Sequence, residues 1–220
     1  MVKLPQCVLF DQDGTLLDSI PGIAYSVAAA FRAAGLPEPA LDLRRLIGPP
    51  IRTILSRVAE TTDEAALDEL EWHFRVSYDS EGWRRTLCFP GVQKLLETLK
   101  RNDHRLFIIS NKPRHISAKI LEAQGIASHF EQLYTRDSAL PPYASKEAML
   151  DALLSDHQLA PQACVMVGDT MEDAGAAALH NIGFIFMEHG YGELSLAQPV
   201  LLKLGNFSEF MPYLAAENLP

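Results

Sequence analysis

Three short apolar runs in this chain each end in a cluster of small polar and acidic residues. Gln6-Cys-Val-Leu-Phe10 leads into Asp11-Gln-Asp-Gly-Thr15, and Arg105-Leu-Phe-Ile-Ile109 into Ser110, Asn111 and Lys112. Ala163-Cys-Val-Met-Val167 leads into Gly168, Asp169 and Thr170, with Asp173 shortly after. Runs of this length, rich in β-branched and aromatic residues, suit strands buried on both faces. Helix-period segments alternate with them at 92–101, 115–124, 145–157 and 173–180. A further strand is expected at 183–187, a weak one at 130–134 and a possible edge strand at 200–204, with a closing helix at 208–214. Such alternation implies an α/β class with a Rossmann-like parallel sheet and helices on both faces. Open sheets of this kind bind ligands beyond the carboxyl ends of their strands. The three polar clusters therefore converge on one edge of one sheet.

One stretch breaks the alternation. From Ile20 to Trp83 apolar residues recur at three- and four-residue spacing, and no strand signal appears. Ile23, Val27, Ala30 and Phe31 form one helical face, broken by Gly35-Leu-Pro37. Short helices are expected at 41–47 and 51–58, and a long one at 63–78 with Thr62 or Asp63 as its N-cap. This is a helical bundle inserted after the first strand. Trp72 and Trp83 are expected in its core or at its interface with the sheet domain.

Composition narrows the class further. The chain has 220 residues, 48% hydrophobic and 21% charged, which are values of a globular protein able to bury a real core. No run approaches the ~20 apolar residues of a membrane-spanning helix. The N-terminus lacks the apolar segment and cleavage site of a secretory signal. The three cysteines, Cys7, Cys88 and Cys164, are far apart with no CxxC pair. They read as reduced thiols of a cytoplasmic protein, with Cys7 and Cys164 on neighbouring strands. A net charge of −9 gives no general attraction for nucleic acid or an anionic membrane. The charge favours solubility and leaves monomer or homodimer open.

Asp11, Asp13, Asp169 and Asp173 repel one another unless something positive sits among them. The seven histidines show no pair at ligand spacing, so the donors are oxygen only. That chemistry favours a hard cation, and Mg²⁺ typically takes one or two carboxylates, waters and a substrate phosphate. A phosphate would also accept hydrogen bonds from Ser110, from the Asn111 amide and from the loop after Asp11. Lys146, in Ser145-Lys-Glu147 at the start of a helix, supplies a cation.

These residues carry a family resemblance. Phe10-Asp-Gln-Asp-Gly-Thr-Leu-Leu-Asp-Ser19 resembles the first motif of the haloacid dehalogenase-like hydrolases. Ile108-Ile-Ser-Asn-Lys-Pro113 resembles the second, in its phosphoglycolate phosphatase-like form. Lys146 fits the third and Val167-Gly-Asp-Thr-Met-Glu-Asp173 the fourth. The motifs stand in the right order, and the resemblance spans essentially the whole chain. One departure is Lys146-Glu147, where the family usually has Lys-Pro; Lys112 lies too close to the second motif to replace Lys146.

The resemblance implies a core of residues 1–18 and 87–220 and a helical cap of residues 19–86 that closes over the site and excludes water. It implies a Mg²⁺-dependent phosphatase acting on a small phosphorylated metabolite, 2-phosphoglycolate first. Asp11 would be the nucleophile and form an aspartyl-phosphate. Asp13 would be the general acid, then the base. Mg²⁺ would sit on the Asp11 carboxylate, the Asp13 carbonyl and Asp169, with Asp173 in support. Ser110, Asn111 and Lys146 would hold the phosphoryl group. Apart from the resemblance, Arg52 in Gly48-Pro-Pro-Ile-Arg52 reads as a solvated helix arginine that could also reach down from the cap to the substrate. Thr15 follows the phosphatase pattern, whereas sugar-phosphate mutases of the β-phosphoglucomutase type often carry Val there. That mutase is one alternative; a nucleotidase or pyrophosphatase on the same scaffold, or a non-catalytic binding module, are others.

Overall fold

A computed structural model describes residues 4–39, 46–195 and 199–215. The expected helix at 41–47 falls almost wholly outside them. Six strands form one parallel sheet in the order β5-β4-β1-β6-β7-β8. They are β1 Cys7–Phe10, β4 Arg105–Ser110, β5 Gln132–Thr135, β6 Cys164–Gly168, β7 Gly183–Met187 and β8 Leu202–Leu204. Every residue of β1 and of β6 is buried, as their continuous apolar runs require. Leu202–Leu204 is indeed an edge strand, with Gln132–Thr135 at the opposite edge. Cys7 lies in register opposite Cys164, and both are free thiols.

Strand period two divides the sheet's side chains between two apolar layers. Cys7, Leu9, Phe107, Ile109, Met166 and Phe184 face α6 Lys146–Asp156 and α7 Met171–Leu179, packing with Met149, Leu150, Leu153 and Ala177. Val8, Phe10, Leu106, Ile108, Val165 and Ile185 face the other way. There they join Val92, Leu95 and Leu99 of α4 Val92–Arg101 with Ile116 and Ile120 of α5 Arg114–Ala123. The helices lie on both faces, as a right-handed parallel sheet demands. The expected closing helix is instead a 3-10 turn, Phe207–Phe210, followed by α8 Met211–Ala215. The Asn206 side chain accepts from the Ser208 amide at 3.0 Å, tightening the first turn.

The helical segment after β1 contains α1 Ile20–Ala33, α2 Ile51–Val58 and α3 Glu64–Ser80. Asp63 caps α3, its carboxylate accepting from the Ala66 amide at 2.8 Å. Two short strands bracket the segment. β2 Leu17–Asp18 pairs antiparallel with β3 Leu87–Cys88, so the chain leaves the sheet and returns to it side by side. Two-residue strands carry no periodicity, which is why the sequence reading missed them. Trp83 is partly buried, with Lys119 of α5 4.5 Å from its ring centre. Trp72, expected inside, is 61% exposed on α3.

α1 and the turn Gly82–Arg85 meet through two glycines. A Cβ on Gly22 would lie 2.3 Å from the Gly82 carbonyl oxygen, and the obstacle is rigid backbone. Alanine gains about 1 kcal/mol over glycine inside a helix, but overpacking of this kind costs about 1–3 kcal/mol. Gly22→Ala should therefore lower the urea midpoint, and equilibrium denaturation of the two proteins checks it.

Candidate active site

The first elements of the site are β1, β4 and β6, whose carboxyl ends lie side by side. Asp11 follows β1, and its amide donates to the Val167 carbonyl of β6 at 2.9 Å. Asp169 follows β6. Asp173 lies in the first turn of α7, where the helix dipole favours an acid. It forms a capping box with Thr170, whose amide donates to Asp173 Oδ2 at 3.0 Å and whose hydroxyl donates to it at 2.6 Å. Ser145 caps α6 and fixes Lys146 as its first residue.

Lys146 joins these parts. It is 3% exposed, and its Nζ donates to Asp11 Oδ1 at 2.7 Å and Asp173 Oδ1 at 2.5 Å. Burial disfavours the ammonium, but Asp11 and Asp173 outweigh burial and hold Lys146 above the ordinary lysine range. Burial pushes Asp11 well above the usual carboxylate range, with Lys146 acting against it. Burial and the Asp173 charge raise Asp169 to about 6, against the hydrogen bonds from the Tyr191 amide and Thr15.

Asp169 is held by donors at both oxygens. Thr15 Oγ1 donates to its Oδ1 at 2.8 Å and the Tyr191 amide to its Oδ2 at 2.7 Å. The backbone closes tightly around it: a Cβ on Gly14, where φ is +90°, would lie 2.3 Å from Asp169 Oδ2. Only a residue without a side chain fits there at ordinary strain.

Asp11, Asp169 and Asp173 each present an oxygen within 4.8 Å of the others. This buried oxygen-only set fits a hard divalent cation. Asp173, expected in a supporting role, belongs to the cluster, while the Asp13 carboxylate turns elsewhere. Its Oδ2 lies 3.0 Å from Lys112 Nζ, and its Oδ1 is buried with no hydrogen-bond partner.

Asp11, Asp13, Ser110, Asn111, Lys112 and Lys146 line one cavity. The helical segment closes its far side with Ile23, Ile47, Ile51, Ile54, Phe74, Arg75 and Tyr78. Asn111 Nδ2 donates to Glu172 Oε2 at 2.8 Å and to the Gly48 carbonyl at 3.2 Å. Ser110 is buried, its Oγ accepting from the Lys112 amide at 3.2 Å.

Arg52 does not line the cavity. Its guanidinium turns to α3, pairing with Glu64, with Asp68 at 2.7 Å and with Glu71 at 3.2 Å. Arg75, one turn beyond Glu71, is the arginine that does line it. The sequence reading missed Arg75, Tyr78 and Lys112 as cavity residues. Lys112 was marked by its place after the second strand. Arg75 and Tyr78 lie on a helix with no motif around them.

A parallel sheet that gathers buried aspartates and two buried lysines at its carboxyl edge defines an aspartate-centred α/β class. Residues 8–187 match the family model of the haloacid dehalogenase-like hydrolases, and the chain belongs to that family. It is 34% identical over 191 residues to the tyrosine-protein kinase PtkA of Mycobacterium tuberculosis, a match covering 86% of this chain but 64% of that protein. It is 33% identical to a 5'-nucleotidase of Pseudomonas aeruginosa over 87% of this chain and 88% of the relative. A phosphoglycolate phosphatase of Nitrosococcus oceani is 28% identical, over 87% of each chain. Among solved structures, a haloacid dehalogenase-like family hydrolase of Streptococcus pneumoniae superposes with a TM-score of 0.84 at 26% identity, covering 96% of this chain and 98% of that one.

A cation bound by the folded cluster alone stabilises the fold by mass action, about 2.7 kcal/mol at a hundredfold excess over Kd. Mg²⁺ should raise the thermal midpoint of the wild type, and Asp169→Asn should lose most of that increment. Calorimetry with Mg²⁺ and with EDTA checks both.

Proposed function

We propose that this protein is a cytoplasmic, Mg²⁺-dependent phosphomonoesterase that works through an aspartyl-phosphate on Asp11. The observation that carries the reading is the pair of aspartates on one loop in one cavity. Asp11 is steered by Lys146 at 2.7 Å, and Asp13 keeps one buried oxygen uncommitted. Residues 19–86 act as a cap domain over a core of residues 1–18 and 87–220, and the cavity between them is where a substrate is shielded from water.

Asp11 attacks phosphorus in line, the bond to the ester oxygen breaks, and the leaving alkoxide takes a proton from Asp13. Asp13 then removes a proton from water as it attacks the aspartyl-phosphate, and the Asp11–phosphorus linkage opens. Lys146, Ser110 and the Asn111 amide stabilise the charge on the transferring group. Asp11, Asp169 and the Asp13 carbonyl would hold Mg²⁺, with Asp173 completing the cluster; when bound, it would neutralise phosphate charge and orient the nucleophile.

The substrate is a small phosphate monoester. 2-Phosphoglycolate comes first, from the second-motif form and the relative of that name; Arg75, paired with Glu71 at 2.6 Å, is the cation on the cavity wall that a substrate carboxylate would have to engage. The apolar surface of Ile47, Ile51, Ile54 and Phe74 favours a second reading, a nucleoside 5'-monophosphate. That agrees with the name of the 5'-nucleotidase relative.

Phosphate release is measured on phosphoglycolate, sugar phosphates, nucleoside monophosphates and pyrophosphate, with Mg²⁺ or EDTA. Release should require Mg²⁺ and fall by about a thousandfold or more in Asp11→Asn. Isomerisation of a sugar phosphate without release would replace the reading with the mutase. Binding with no turnover would replace it with a non-catalytic module.

A further inference from the structure

Lys112 has no part in the reaction as set out above, yet it is a buried lysine inside the cavity. Its Nζ lies 3.0 Å from Asp13 Oδ2 and donates to Tyr78 Oη at 3.0 Å. Burial disfavours the Lys112 ammonium, but Asp13 and Tyr78 outweigh it and keep the group charged. An ammonium has three donors and no acceptor. Asp13 Oδ2 therefore accepts from Lys112 and cannot donate a proton back to it. Asp13 Oδ1 is buried with no hydrogen-bond partner, so Lys112 is the side chain that holds this carboxyl in place.

Tyr78 belongs to α3 in the helical segment, not to the sheet, and its seat is rigid. Its ring stacks on Phe74 at 5.3 Å, and a Cβ on Gly82 would lie 3.0 Å from it. Its hydroxyl lies 3.4 Å from that of Thr86, which is also buried. The chain Asp13–Lys112–Tyr78 thus runs from the loop after β1, through the loop after β4, into the cap.

We propose that Lys112 is a positioning residue that holds the Asp13 carboxyl in its orientation in the cavity, and that Tyr78 makes this hold depend on the seated cap. The inference rests on the phosphatase reading, in which the proton moves from Asp13 to the leaving oxygen as the phosphorus–oxygen bond breaks. Lys112 itself exchanges no proton with the substrate. The cap thereby supplies a proton-donor geometry as well as a wall.

The test compares two esters. An alkyl phosphate needs its leaving oxygen protonated; p-nitrophenyl phosphate leaves as a stable phenolate and needs little help. kcat/KM is measured on both at saturating Mg²⁺ for wild type, Asp13→Asn, Lys112→Met and Tyr78→Phe. Loss of a general acid typically costs 10²–10⁴-fold, so Asp13→Asn serves as the reference for ester-selective loss. Lys112→Met should lose about tenfold on the alkyl ester and less than about threefold on the aryl ester. Tyr78→Phe, which removes one hydroxyl and keeps the stacked ring, should lose about threefold on the alkyl ester alone. It decides the matter if Lys112→Met fails to fold.

Equal losses on both esters would assign Lys112 to phosphate binding or to stability and overturn the inference, as would no loss at all. A wild type silent on both esters, or an Asp13→Asn variant without ester selectivity, would overturn the phosphatase reading and this inference with it.

Discussion

The site depends on one ammonium group. Asp11, Asp169 and Asp173 are buried within a few ångströms of one another, an arrangement that like charges oppose. Lys146 bonds to two of them, and it does so from the first residue of α6, where the helix dipole disfavours a cation. Neither partner is comfortable alone: a buried charge that loses its counter-ion costs about 3–5 kcal/mol. Lysine and aspartates hold one another in place, and the loops after β1 and β6 inherit their geometry from that hold.

The sheet makes this possible by being apolar through its whole thickness. Alternate residues of β1 pack to opposite faces, so the strand ends are the nearest places where polar groups can be grouped at low cost. Asp169 and Asp173 sit where a threonine hydroxyl, a backbone amide or the lysine can meet each oxygen. Asp169 has Thr15 and the Tyr191 amide, and Asp173 has Thr170 and Lys146. Asp13 has one oxygen on Lys112 and the other buried without a partner.

The strands and the convergence of Asp11, Ser110 and Asp169 were legible in the sequence because strands buried on both faces read as unbroken apolar runs, while Lys146, at a helix start, was legible only through its fit to the third motif. The helix at Ile51–Val58 was legible from periodicity and from the prolines before it. Residues whose part depends on how two helices pack were not legible. Arg52 reads as a free arginine until α3 brings Glu64, Asp68 and Glu71 beside it. Trp72 reads as core by residue type, yet it falls on the outer face of α3. Tyr78 follows the helical period like any core aromatic, and only the fold places its hydroxyl on Lys112. The β2–β3 pair was illegible for a simpler reason: two residues make no pattern.

That small ribbon has a consequence for how such a chain can change over time. Leu17 faces Cys88 and Asp18 faces Leu87, so the points of departure and return are clamped as immediate neighbours. Tyr191 reinforces the clamp, its hydroxyl accepting from the Ser19 amide at 2.7 Å while its own amide holds Asp169. The entropy of bringing the two ends together is set by the ribbon and grows only slowly with what lies between them. Evolution can lengthen, shorten or replace the inserted helices without re-registering a strand of the sheet. Descendants of one ancestral scaffold can thus acquire new specificities by exchanging a module through a single two-rung doorway.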